Sequence, residues 1–325
     1  MERVYSFLMK CLRSGVFTIT GEVEPLKTTD ISELVHAVYQ LRGYVAAVNI
    51  TDNPQAFAYM SGLAASHIIQ EQTGVEVIFQ LTCRDRNRLA LVSDVLGAAA
   101  LGIRNVLALT GDHPTLGDNP DAKPVYDLDS VHLVRLIRKM VDEGVDLAGN
   151  KIAKPPRLHV GVAANPGADP LEPELLKLVK KVKAGAEFVQ TQVVYDIEIA
   201  KNFLKEAESL GINIPILIGI CPLKSYAMAK WMDKYCPGIK IPRELMEKIK
   251  RAKETGGKKA IEDVNVEVFG EFIRELKKTT HAAGCHVMAV GFEWIVPRIV
   301  EEAGIGRIYG WRERLEREVY ELITV

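Results

Sequence analysis

The 325-residue sequence lacks several features that would assign it to a class at once. No apolar run approaches the roughly 18 residues that span a bilayer, so no membrane segment is expected. The 41 Lys and Arg are balanced by 42 Asp and Glu, which leaves no basic field for nucleic acid. The five cysteines form no Cys-x-x-Cys pair, and no secretory signal is recognisable. These absences predict a protein of the reducing cytoplasm whose ligand is a small molecule or another protein.

Common catalytic signatures are also missing. The chain contains no P-loop, no Gly-x-Ser-x-Gly elbow and no His-Glu-x-x-His helix. Its seven histidines are not spaced as metal ligands, so no metal is expected. His281 and His286, in HAAGCH, run into the start of a predicted strand, the end away from an active site in a barrel. We therefore interpret both as packing or surface residues.

Short apolar, β-branched runs recur along the whole chain and predict eight buried strands. Segments with helical spacing separate them, and several of these segments end in glycine. The predicted strands cover 16–20 (VFTIT), 45–50 (VAAVNI), 75–79 (VEVIF), 103–109 (IRNVLAL), 158–163 (LHVGVA), 187–193 (EFVQTQV), 214–220 (IPILIGI) and 285–290 (CHVMAV).

Eight strands alternating with helices predict a (β/α)₈ TIM barrel, with residues 1–325 as a single domain. The alternative is an open doubly wound sheet, which is expected to carry Gly-x-Gly-x-x-Gly after its first strand, where this chain reads GEVEPLKTTD. Residues 243–280 predict a helical excursion before the last strand, with two helices around a Gly256-Gly257 break. Residues 304–325 are interpreted as a C-terminal cap or a partner surface.

Polar side chains follow almost every predicted strand, at the end where a barrel gathers its chemistry. Glu22 and Asp112 are two acids that could serve as acid and base across the barrel mouth. Glu24 is expected to point the other way and to be structural or part of the turn. Amide side chains donate and accept hydrogen bonds at once, which suits a flavin or pterin ring, and they are found at Gln80, Asn165 and Gln192.

Several of these segments together resemble the methylenetetrahydrofolate reductase family. The resemblance covers roughly residues 16–300 and is carried, in the family's order, by TGEVEPLK, VNITDN, FQLTCRDRNR, LALTGDHP, VAANPG and KKVKAGAEFVQTQVVYD. It implies a barrel that binds a flavin, FAD or alternatively FMN. It also implies hydride transfer from the reduced flavin to methylenetetrahydrofolate, or to a related pterin carrier, which gives the methyl form.

The resemblance also implies roles for individual residues. Glu22 matches the general acid of the family, Asp112 the aspartate near flavin and folate, and Gln192 the glutamine that faces the substrate. The remaining matched positions fall where the family contacts its flavin, and they are Thr51, Gly111, Asn165, Glu174 and Lys181.

The chain departs from better-known members at positions around the flavin. Gln80 replaces a histidine and Thr110 an arginine, so both are expected to give the flavin a different charge environment. A glutamine near Met228 and a Tyr with an Arg after the last strand are absent, where the chain reads GFEWIVPR at 291–298. The chain is thus similar to divergent members from acetogenic and related anaerobic pathways. For the electron donor, these departures favour an iron–sulfur or ferredoxin-type partner subunit over free NADH.

Two alternative functions remain open from the sequence. One is a flavin-free pterin-binding barrel that serves a methyltransferase, and it predicts a colourless protein. The other is a noncatalytic subunit of a complex, against which the presence of Glu22, Asp112 and Gln192 argues. The oligomeric state stays open as well, a homo-oligomer included.

Overall fold

The computed structural model describes residues 3–308, which form a closed barrel of eight parallel strands. Each strand pairs with its successor and the last pairs with the first. The strands are β1 (Thr18–Val23), β2 (Ala47–Ile50), β3 (Val77–Thr82), β4 (Asn105–Leu109), β5 (His159–Ala164), β6 (Phe188–Val193), β7 (Ile216–Ile220) and β8 (Gly284–Val287). The predicted TIM barrel is confirmed, and the open sheet is excluded.

Helices connect the strands in the order expected of this fold. They are α1 (Phe7–Arg13), α2 (Ser32–Leu41), α3 (Gly62–Thr73), α4 (Arg88–Ala100), α5 (Ser130–Arg138), α6 (Glu172–Lys183), α7 (Ile197–Ser209), α8 (Tyr226–Tyr235), α9 (Arg243–Thr279) and α10 (Val296–Glu302). A π-helical turn over Lys139–Glu143 extends α5. None of the described helices is both long enough and apolar enough to cross a membrane.

Several predicted strands begin two residues before the observed ones. Val45, Val75 and Ile103 were predicted to start strands, whereas β2, β3 and β4 begin at residues 47, 77 and 105. All three side chains are buried, although they precede the paired residues. An apolar residue entering the barrel is buried whether or not its backbone joins the sheet. Sequence hydrophobicity therefore reports the burial but not the start of pairing.

The helical excursion before the last strand is confirmed. Helix α9 occupies Arg243–Thr279 and is interrupted at Gly257, whose φ of 62° and ψ of −140° are not helical. A positive φ is costly for any residue with a Cβ, so the glycine makes the break possible. The predicted C-terminal cap lies outside the described residues from position 309 onward. The last described residue, Ile308, donates its N–H to Gly43 O at 2.9 Å.

Helix α1 closes the amino end of the barrel. Its side chains pack against inward-facing strand residues, among them Ile78, Leu107 and Phe188. The carboxylate of Glu76 holds the helix start, because its two oxygens accept from Phe7 N at 2.8 Å and Leu8 N at 2.9 Å. These are N–H groups that the helix itself cannot satisfy. The negative charge of Glu76 is also stabilised by the positive end of the helix dipole.

We expect Glu76→Ala to lower the free energy of unfolding by about 2 kcal/mol, because two helix-start donors lose a charged acceptor. Urea denaturation followed by circular dichroism measures the change. Glu71→Ala, which removes an exposed carboxylate from α3, serves as the control. Equal stabilities of the two variants would show that Glu76 does not anchor the helix.

Candidate active site

The carboxyl ends of the strands surround a pocket of about 280 Å³. We call it the mouth pocket. It is lined by Glu22, Gln80, Leu107, Leu109, Ala163, Ala164, Asn165, Glu174, Lys181, Gln190, Thr191, Gln192, His286 and Met288. Six of the predicted site residues are among them, namely Glu22, Gln80, Asn165, Glu174, Lys181 and Gln192. The six residues come from five segments, because Glu174 and Lys181 are both on α6, and these segments meet at one place.

Glu22 lies near the end of β1, with its side chain 15% exposed. Its Oε2 accepts a hydrogen bond from Gln80 Nε2 at 2.8 Å and lies 3.4 Å from His286 Nε2. Both nitrogens approach the same oxygen, and no residue within 3–308 hydrogen-bonds Oε1. Glu22 is therefore oriented through one oxygen while the other remains available to carry a proton.

A buried polar network lies one layer below Glu22. Gln190 Nε2 is 3.0 Å from both Asn49 Oδ1 and Thr20 Oγ1, and Thr20 Oγ1 is 3.0 Å from His286 Nδ1. Because the Gln190 amide can give its two hydrogens to Asn49 and Thr20, the Thr20 hydroxyl can donate to Nδ1 of the histidine. His286 is then the Nε2–H tautomer, with its proton directed at Glu22.

The sequence interpretation of His286 was wrong in its placement. The side chain is buried and lies against Glu22, not at the far end of the barrel. Strand β8 is only four residues long and aligns His286 with Thr20, two residues before Glu22. For Asn49 and Gln190, which the sequence interpretation also missed, a usable signal was present: each precedes a predicted rim residue by two positions, and residues two apart face the same side of a strand.

The prediction that Glu24 points away from Glu22 was also wrong. Burial raises the pKa of the Glu24 carboxyl, Tyr59 hydrogen-bonds to it, and the charge of Glu22 raises its pKa further. The two carboxylates are therefore near enough for their charges to interact. The reason is the two-residue period of a strand, which places positions 22 and 24 on one side.

A second polar group in the pocket consists of Lys181, Glu174 and Asn165. Lys181 is buried, and its Nζ donates to Ala163 O at 2.5 Å. Burial lowers the pKa of this ammonium to about 8, while the charge of Glu174 partly opposes the shift. Glu174 Oε1 accepts from Asn165 N at 3.0 Å. Helix α6 and the end of β5 thus present a partly desolvated cation beside a carboxylate and an amide.

Gln192 reaches the pocket because β6 is irregular there. The pairing of β6 with β7 shifts between Gln190 and Val193, as in a β-bulge. Thr191 Oγ1 accepts from Gly219 N at 2.8 Å within this irregularity. Gln192 is exposed; its Oε1 accepts from Val193 N at 2.9 Å, which leaves its Nε2 available to a ligand at the mouth.

Four predicted residues do not line the mouth pocket. Asp112 is exposed, and its Oδ2 accepts from Gln55 N at 3.2 Å. Thr110 Oγ1 accepts from Ser130 N at 3.2 Å, at the start of α5. A Cβ on Gly111 would lie 2.9 Å from Arg84 Cβ, so this glycine faces the β3–α4 segment. The fourth is Thr51, whose buried Oγ1 has no hydrogen-bond partner among the described residues.

Two of the quoted sequence motifs bind each other beside the pocket. Asp52, from VNITDN, accepts from Thr82 N at 2.9 Å and pairs with Arg86 Nη1 at 2.6 Å, both in FQLTCRDRNR. Arg86 also pairs with Asp94 at 2.7 Å. Asp52 is buried, so this ion pair fixes the β2 end to the β3–α4 segment. Within residues 3–308, no three His, Cys, Asp or Glu side chains are grouped to hold a metal ion.

Comparison with known families identifies the family of this chain. The sequence model that matches residues 8–304 is described as Methylenetetrahydrofolate reductase. The chain belongs to this family. The methylenetetrahydrofolate reductase match spans every strand of the barrel and every residue of the mouth pocket.

Curated relatives carry the same family name. Methylenetetrahydrofolate reductase 2 of Schizosaccharomyces pombe is 29% identical over 254 residues, which are 73% of this chain and 37% of that protein. The 5,10-methylenetetrahydrofolate reductase of Salmonella typhimurium is 33% identical over 162 residues, 50% of this chain and 49% of the relative. The chain therefore matches half or less of the length of these two proteins.

A solved structure shares the fold. It is an uncharacterized protein from Clostridium thermocellum that binds two copies of 5-methyl-5,6,7,8-tetrahydrofolic acid. The TM-score is 0.63 at 17% sequence identity, and the match covers 92% of this chain and 100% of that chain.

Proposed function

We propose that this protein is an oxidoreductase that uses a bound flavin to reduce methylenetetrahydrofolate, or a related pterin carrier, to its methyl form. The observation that carries the proposal is the mouth pocket, which unites six predicted flavin or substrate residues in a chain of this family. The named relatives and the methyltetrahydrofolate bound by the structural neighbour support the folate class of substrate.

The residues at the mouth suit a flavin. The amides of Gln80 and Asn165 can meet the alternating donors and acceptors of a flavin ring. Thr51, which does not line the mouth pocket, offers a buried hydroxyl without a partner among the described residues. Lys181, whose pKa is lowered to about 8, stays largely protonated at neutral pH and can pair with a negatively charged group of the cofactor. A bound flavin, FAD in our proposal and FMN as the alternative, would supply the hydride.

The proposed chemistry needs an acid and an amide on the substrate side. Opening the five-membered ring of methylenetetrahydrofolate requires a proton on the departing nitrogen, and Glu22 has a free Oε1 to deliver it. Gln192 would hold the pterin. We propose that Asp112 favours the cationic iminium electrostatically. Since its carboxylate accepts from Gln55 N, contact with the folate requires exchange of that hydrogen bond.

The electron donor and the cellular location complete the proposal. Gln80 and Thr110 replace charged or titratable residues of better-known members, so a protein donor with an iron–sulfur cluster is favoured over free NADH. All five cysteines are free, which suits a reducing cytoplasm.

We expect protein incubated with excess FAD or FMN and then desalted to remain yellow, with absorbance near 450 nm. Lys181→Met should lower the retained flavin, because it removes the buried cation from the pocket. Lys180→Met, which changes the exposed neighbour in α6, is the matched control. A colourless wild-type protein would refute the flavin assignment and favour the flavin-free pterin barrel.

A further inference from the structure

Helix α8 lies beside the mouth pocket. On its inner side, Met232 Sδ is 3.6 Å from Tyr195 Oη, and Tyr195 lies two residues after the end of β6. The segment after α8 reaches the pocket edge, where Asn165 Nδ2 lies 3.5 Å from Pro237 O. The helix is therefore held against the rim at the residue proposed to contact the flavin.

The outer side of α8 exposes two large aromatic rings. Trp231 is 47% exposed and Tyr235 is 59% exposed, and their ring centroids are 6.2 Å apart. Ala229 and Met232 face inward and are buried. Exposed neighbouring aromatics are costly in water, and Trp and Tyr dominate the energetics of protein interfaces. This pair has the composition of an interface centre.

Two lysines make the same side positive. Lys230 Nζ lies 5.4 Å from the ring centroid of Tyr226, and Lys234 Nζ lies 4.8 Å from that of Tyr235. The one acid of the helix, Asp233, uses its Oδ1 to accept from Ile241 N at 2.9 Å. No acidic residue in the described part of the chain forms an ion pair with either lysine. We call Lys230, Trp231, Lys234 and Tyr235 the α8 face.

We propose that the α8 face docks an acidic iron–sulfur electron-carrier protein. This inference rests on the proposed function and assigns the place where its donor binds. Complementary charge steers such a partner and fixes its orientation, while the two rings supply the apolar centre of contact. Two reduced clusters of the carrier, each oxidised by one electron, supply two electrons; with two protons from solvent these reduce the flavin to dihydroflavin.

Charge argues against a second copy of this chain as the occupant. A symmetric contact between two α8 faces would bring the lysines of both copies together, and like charges across an interface are unfavourable. A carrier with a carboxylate-rich surface instead brings negative charges to the positive α8 face. An acidic redox protein is therefore the partner that the face fits.

Binding tests the proposal without depending on the flavin. The full-length protein, as purified, is titrated with an acidic bacterial two-[4Fe–4S] ferredoxin by isothermal calorimetry at low and high salt. We expect K230E/K234E and, separately, W231S to raise Kd at least about tenfold at low salt. The control K183E/K205E makes the same change in net charge at exposed positions of α6 and α7, and it should keep Kd within about twofold.

A second readout follows flavin reduction in the loaded protein. Reduced ferredoxin should reduce the flavin at least about tenfold more slowly in both α8 variants, whereas reduction by dithionite should be unchanged. Absence of ferredoxin binding to the wild type, or equal Kd values in the α8 and control variants, overturns the proposal. So does ferredoxin-independent self-association that W231S abolishes. Failure of the proposed function would appear separately, as loss of flavin retention, while the titration still decides the docking.

Discussion

Glu22→Gln is expected to slow the reoxidation of reduced flavin by methylenetetrahydrofolate by about 10²- to 10⁴-fold, the usual contribution of general acid catalysis. The amide is nearly isosteric and can still accept from Gln80 Nε2, so flavin retention should be unchanged. It cannot donate an acidic proton to the departing nitrogen. Stopped-flow reoxidation of the pre-reduced wild type and variant, measured side by side, gives the ratio.

Glu24→Gln is the informative comparison for this experiment. Burial and the charge of Glu22 raise the pKa of the Glu24 carboxyl, yet the carboxylate is hydrogen-bonded by Tyr59. We expect this variant to keep reoxidation within about tenfold of the wild type, well short of the loss of a general acid. If the reoxidation rate collapses in Glu24→Gln and not in Glu22→Gln, the general acid has been assigned to the wrong carboxylate. If neither variant slows the reaction, Glu22 has only a structural role.

Asp52→Asn is expected to lower the free energy of unfolding by about 3 kcal/mol, because it leaves the charge of Arg86 without its main buried partner. Asp94, which also pairs with Arg86, keeps the loss at the lower end of the range for broken buried ion pairs. Urea denaturation followed by circular dichroism measures the change.

The control for this prediction is Asp263→Asn. Asp263 pairs with Arg298 at 2.6 Å, but both side chains are exposed, so the loss should be at most about 1 kcal/mol. A loss from Asp52→Asn no greater than that from the control would mean that the buried pair does not stabilise the fold.

The barrel could be read from the sequence because its strands are buried on both faces and each is bounded by polar or turn-forming residues. The predicted strand starts at Val45 and Val75 were less accurate, since burial extends beyond the paired residues. The break of α9 was predictable as well, because Gly257 interrupts a long helical pattern. These features depend on local sequence and on hydrophobicity alone.

The location of a residue at the mouth pocket was predictable where a residue type and a strand end coincide, as at Glu22, Gln80 and Gln192. It was not predictable at His286, because its role depends on the register between β8 and β1. Asp112 shows the converse. It follows its strand as expected, but the loop after β2 supplies an N–H to its carboxylate and places it outside the mouth pocket. Loop paths of this kind are set by distant contacts that sequence does not display.

The closed amino end of the barrel limits how ligands enter and leave the mouth pocket. Because buried side chains fill the barrel below the mouth pocket and α1 covers the amino end, a molecule that enters this pocket leaves through the same opening. A soluble reductant and a folate would therefore have to take turns. A carrier held on α8 stays outside that opening. Electrons could then arrive while the folate remains bound, so that the two halves of the reaction need not alternate.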